Sequence, residues 1–162
     1  MPLSQSTLAD ELAALEPQRL EVLAAKKFAA AFTNYFAGST VAGIPANVIT
    51  LQPARLVLQS SLTGMSVPGS APLIIQQSII AFWGTIIPTA ITVWPGVVPP
   101  VISATPPPGL AAISAAIVAA GLANITSKSL AASARVLAAA IHPTQLGGIV
   151  AVGPPPGVVP IL

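Results

Sequence analysis

Charge is what this sequence has least of. Six residues are Lys or Arg and four are Asp or Glu, a charged fraction of 6%. Ordinary soluble domains carry roughly 25%, so the usual charged, solvated surface is excluded. Nucleic-acid binding is not expected either, because it needs clustered cations to neutralise several phosphates. Lys26-Lys27 is the only adjacent basic pair and reads as a solvated helix face. Every acid precedes residue 22, and no formal charge occurs between Arg55 and Lys128. Disorder does not explain the scarcity, since disordered segments are rich in charge and poor in apolar residues. Here 54% of the chain is hydrophobic and the mean hydropathy is +0.84.

Cysteine is absent, which removes disulfides and thiolate metal sites. Histidine is nearly so. His142 stands alone before Pro143, at the expected end of a helix, where a cation is mildly favoured by the dipole. No carboxylate follows Glu21, so His142 has no sequence neighbour to make an acid/base pair. Asp10, Glu11, Glu16 and Glu21 share one helical segment and read as its solvated face rather than as a metal or glycosidase pair. No Gly-x-Ser-x-Gly elbow occurs, and Gly147-Gly148 lacks the residues of a phosphate loop. The chain is therefore expected not to be an enzyme, with no catalytic residue, cofactor or metal. The N-terminus has early acids and no basic region before an apolar run, so no signal peptide is expected.

What is present is Ala, Val, Ile and Leu, cut by 18 prolines and 12 glycines. Residues 1–38 form the one conventional amphipathic segment. Ser4 or Thr7 serves as its cap, Asp10 and Glu11 lie in the first turn, Pro17 opens a second helix and Gly38 stops it. Phe28, Phe32, Tyr35 and Phe36 step along this helix at three- and four-residue spacing. That spacing predicts core, with a docking face for a partner helix as the second reading. Residues 39–52 read as a linker of loop or short extended structure.

Beyond it the chain suggests a duplication. Pro53 to Pro88 and Pro108 to Pro143 have equal length, and each reads as a helix, a turn and a second helix closed by proline. Pro95-Gly96-Val97-Val98-Pro99 then recurs as Pro156-Gly157-Val158-Val159-Pro160. The expected fold is mainly α: a small helical bundle of two hairpin-like units, at 53–105 and 106–162, with extended proline-rich connectors and a C-terminal strap. Stacking of such units, on each other or on another subunit, would bury their apolar faces.

The best candidate membrane span, Pro72 to Ile87, meets Pro88 after too few residues to cross a bilayer, which needs about 20. Neither it nor Gly109 to Ile125 has the flanking Lys or Arg that sets topology. Membrane association is therefore the second reading, behind a subunit covered by protein neighbours.

The segments Ala31-Phe32-Thr33-Asn34-Tyr35-Phe36-Ala37-Gly38 and Ile80-Ala81-Phe82-Trp83-Gly84, with the terminal Pro-Gly-Val-Val-Pro-Ile-Leu, resemble small virion structural proteins of tailed bacteriophages. The resemblance implies an accessory or minor structural subunit of head, neck or tail. Such a subunit is made in the host cytoplasm and located in the particle, in contact with other structural proteins and with copies of itself. Phe28, Phe32, Phe36, Trp83, Trp94, Val158, Val159 and Leu162 are the candidate contacts.

Overall fold

The computed structural model describes residues 3–13, 21–65, 67–126, 129, 132–153 and 156–162. Among these are six α-helices, which make the fold mainly α, and two small antiparallel sheets. Helix α1 is Gln5–Ala13, with Ser4 just before it. Asp10 and Glu11 therefore lie beyond its first turn, one turn later than expected, because the helix begins directly after Ser4 rather than after Thr7. Pro17 lies outside the described residues, and α2 runs Glu21–Ala37. Helices α3 (Gln52–Ser61), α4 (Ala71–Val93), α5 (Ile113–Ala119) and α6 (Ala134–Ile141) follow. Each helix packs against its neighbours in the chain, and α6 returns to pack on α1, closing a ring.

The expected linker contains a hairpin, β1 (Thr40–Val41) with β2 (Ile44–Pro45). Its two-residue turn is Ala42-Gly43, at φ 50° and 81°. Positive φ at both positions matches the twist of the flanking strands, and only the glycine adopts it without steric cost.

Pro88 does not end α4. The helix continues to Val93, and threonine hydroxyls bond main-chain carbonyls around the proline: Thr85 to Ala81, and Thr89 to both Thr85 and Ile86. These bonds go to carbonyls other than that of Gly84, the acceptor the missing Pro88 amide would have served, so one main-chain bond is lost while the helix runs on. The length argument against a span thus fails, since α4 has 23 residues with a mean hydropathy of 1.4 over its most apolar window. One side of α4 is nevertheless core, with Ile75, Ile79, Phe82, Trp83, Ile86 and Val93 buried.

The proline-rich connectors are strands rather than free straps. Strand β3 (Val101–Thr105) pairs with β4 (Ile149–Val152), and β4 with β5 (Gly157–Pro160), all antiparallel. Buried backbone groups need partners, and the Val/Ile-rich stretches between prolines provide them in ladders. The Ile161 amide donates to the Gly148 carbonyl, so 157, 159 and 161 face β4 and 158 and 160 face outward. Pro160 thus sits on the outer edge without an N–H, which blunts the edge against further strands. The matching segment at 95–99 is instead a turn with a cis Val98-Pro99 bond, so the repeated pentapeptide has two structures. The C-terminus is tied down as well: Leu162 and Thr40 exchange both backbone hydrogen bonds.

The core is one cluster reaching from Leu3 to Ile161. It crosses every boundary drawn at 38, 52 and 105, so those segments share a common interior. At its centre the seven aromatics form one contact network. Phe36 packs edge-on against Phe82 and Trp83, with centroids 5.1 and 5.2 Å away, and lies 6.0 Å from Trp94. Phe32 joins Phe28, Tyr35 and Phe82 to it. The accessible surface is 7444 Å², against about 7,500 Å² for a folded monomer of this mass. The chain therefore buries its own core without a neighbour. Replacing Phe36 with Ala is expected to cost about 3–5 kcal/mol, measured by urea unfolding monitored by circular dichroism.

Candidate functional site

The polar chemistry of the interior converges on one short element, the 3-10 turn His142–Gln145 that follows α6. Pro143 sets its first turn, where a missing N–H costs nothing. The Tyr35 hydroxyl lies 2.8 Å from His142 Nδ1, joining residues 107 apart in sequence. Trp83 Nε1 donates to Gln145 Oε1 at 3.1 Å, Gln145 Nε2 to Thr144 Oγ1 at 3.0 Å, and Thr144 Oγ1 to the Ile141 carbonyl at 2.6 Å. A second 3-10 turn, Pro108–Ala112, packs directly on the first. A Cβ on Gly109 would stand 2.7 Å from Thr144 Cα, so only glycine permits this approach of the two backbones. One turn thus fastens α2, α4 and α6 and the chain entering α5.

Burial fixes the protonation of this pair. It pushes the Tyr35 phenol above its ordinary range and the His142 imidazole below its own. The bond between the Tyr35 hydroxyl and His142 Nδ1 then joins two neutral groups, its donor set by the histidine tautomer. The helix-end position had suggested a mild preference for the cation; desolvation outweighs it. No group of three or more His, Cys, Asp or Glu able to hold a metal occurs among the described residues. What the turn does in this geometry is hold helices together.

Five of the eight candidate contacts lie inside the molecule. Phe28, Phe32, Phe36, Trp83 and Trp94 are at most 1% exposed and cannot meet a partner while the chain is folded. The helical spacing of Phe28, Phe32 and Phe36 marked a core face, and Phe82 and Trp83 of α4 pack on it. Val159 is half-buried, opposite Val150. Only Val158 and Leu162, 70% and 55% exposed, stand at the surface.

Other surfaces went unnoticed in the sequence. An apolar groove of about 520 Å³ runs between the start of α2 and the end of α3, lined by Val22, Ala25, Leu56, Gln59, Leu62 and Thr63. A second, of about 470 Å³, lies where α1 meets α6 and holds Asp10 and Arg135. The outer face of α4 exposes Leu73, Ile80 and Ile91. Its three- and four-residue steps were legible, but taking Pro88 as a stop hid their continuity. Among the described side chains every formal charge lies on α1, α2, α3 or α6, and α4, α5 and the three-stranded sheet carry none.

Comparison with protein-family models, with curated proteins and with solved structures finds no match.

Two outcomes test the turn. Gln145→Ala leaves Trp83 Nε1 buried without its acceptor and is expected to cost about 1–3 kcal/mol in urea unfolding. The pH dependence follows from His142, whose folded pKa lies below its unfolded value of 6.5. Between the two values the unfolded chain binds more protons, so stability is full above about pH 6.5 and falls on acidification through that window. Urea midpoints from pH 8 to pH 5 are expected to show this decline, and His142→Gln to flatten it.

Proposed function

We propose that this chain is a non-catalytic structural subunit of a large protein assembly. The setting its sequence texture suggests is a bacteriophage virion, as a head, neck or tail accessory protein, or a phage-tail-like particle. The supporting observation is the uncharged outer surface of α4, α5 and the sheet, on which Leu73, Ile91, Ile102, Val118 and Val158 are each at least half exposed. Monomers rarely present large contiguous apolar surfaces, and such surfaces mark contacts. In this reading α3–α4 and α5–α6 act as two hairpin-like units joined to the more charged α1–α2 segment. The partners are other structural proteins and further copies of the chain, with no nucleic acid, and the place is the particle.

A second reading is a membrane-associated structural protein, such as a coat subunit of a lipid-containing particle. The length and hydropathy of α4 favour it.

One fractionation separates the two. Particles from the producing culture are banded on a density gradient and probed with antibody to this chain. Recovery in the particle band at constant copy number after a high-salt wash is expected. Recovery only as free soluble protein overturns the proposal, and a pellet that resists alkaline carbonate selects the membrane reading.

A further inference from the structure

We propose that the outer face of α4 pairs with the same face of a second copy of this chain, antiparallel, about a two-fold axis near Ile80. This deepens the assembly reading by naming one interface and its partner.

Leu73, Gln77, Ile80, Gly84, Ile87 and Ile91 follow one another in steps of four, three, four, three and four. Such steps place side chains on one stripe of a helix. Leu73, Ile80 and Ile91 are 51%, 41% and 54% exposed; Gln77 and Gly84 are exposed and Ile87 is half-buried. The opposite side of α4 is already core. The outer side is uncharged and mixes Leu73, Ile80 and Ile91 with exposed Gln77, Thr89 and Thr92.

Gly84 has no internal reason to be glycine in terms of space. A Cβ there would meet nothing within 4 Å, and its φ is not positive. Glycine weakens a helix interior relative to alanine, so its place at the middle of the stripe suits the close approach of another backbone. Pro88 gives the stripe a polar element too, since it has no N–H to offer the Gly84 carbonyl four residues earlier. The Gln77 amide lies on the same stripe, seven residues before Gly84. An antiparallel two-fold pairing brings Gln77 of each copy to Gly84 of the other, with Ile80 at the axis, as an isologous contact requires.

The occupant follows from charge and area. No charged side chain of α4 or α5 lies on this face. Along α4 and α5 two copies bring no like charges together, Arg55 of the flanking α3 being the one described cation on that side helix, whereas a charged partner surface would lose hydration there with no counter-charge in return. At 1.5 Å per residue α4 is about 35 Å long, and with the flanks of α3 and α5 its face is roughly 20 Å wide. That is about 700 Å² per copy, within the range of about 600–1,000 Å² that each side of a specific interface buries.

The absence of cysteine makes the test clean. In the full chain, Ile80→Cys is expected to form an intermolecular disulfide in dilute solution at least about ten times faster than Val22→Cys, which stands on α2. Sedimentation equilibrium of the unmodified chain is expected to show a dimer, and Ile80→Lys a monomer with unchanged circular dichroism. Gly84→Leu is expected to weaken the dimer while leaving or raising the melting temperature, a combination that misfolding does not produce. Equal disulfide rates, or a dimer that survives Ile80→Lys, overturn the pairing. So does a monomer that binds phosphatidylcholine vesicles through α4. A dimer in a chain that never bands with particles keeps the pairing and sinks the assembly reading; a monomer that does band with them has the opposite result.

Discussion

Edge-to-face contact between α2 and α4 is the constraint on which the rest of the fold depends. The chain has seven aromatics, and all of them join one network through Phe32 and Phe36. Aromatic pairs at these distances add about 0.5–1.5 kcal/mol each beyond the area they bury. Around this network the core is filled by Leu, Ile, Val and Ala, so the rings are the largest side chains between the two helices. Once α2 lies on α4, α3 is confined between them in the chain and packs on both. The turn at His142–Gln145 then reaches the same pair from the other side, bonding Tyr35 on α2 and Trp83 on α4. The closure of α6 on α1 follows from that anchorage, because α6 leads directly into the turn.

Proline has three different effects in this fold, and its position in the hydrogen-bond pattern decides which. At Pro88 it removes one helical bond, that to the Gly84 carbonyl, and the helix runs on to Val93. At Pro143 it begins a turn whose first amide has no partner to lose. At Pro160 it occupies an outward position of an edge strand, where a free N–H would invite another strand. A reading based on proline as a stop signal treats all three alike, which is why it ended α4 too early and left the connectors unpaired.

Local signals were legible and long-range pairings were not. The three- and four-residue spacing of Phe28, Phe32, Tyr35 and Phe36 is enough to mark a buried face, and Gly38 follows the last residue of the helix. The mainly α class was likewise readable from apolar runs of helical length. The sheet was not, because β3 and β4 lie more than forty residues apart and nothing in either names the other. Identical pentapeptides at 95–99 and 156–160 form a turn and a strand, since tertiary contacts override so short a preference. The bonds from Tyr35 to His142 and from Trp83 to Gln145 span 107 and 62 residues. A lone histidine beside a proline gave no indication that its partner was a tyrosine in the first quarter of the chain.

The scarcity of charge now has a location. Before folding it belongs to a stretch of sequence; after folding it belongs to α4, α5 and the sheet, while the described charged side chains sit on α1, α2, α3 and α6. The surface area of an ordinary compact monomer means that incomplete burial does not explain the uncharged side. Its composition does: side chains such as Ile80, Ile91 and Val158 are turned outward by a backbone whose own core is already filled. Lysine or glutamate at those positions would leave the interior untouched and improve hydration. The proposed contact with another surface would account for their absence, since packing within the monomer places no apolar requirement on those outward positions.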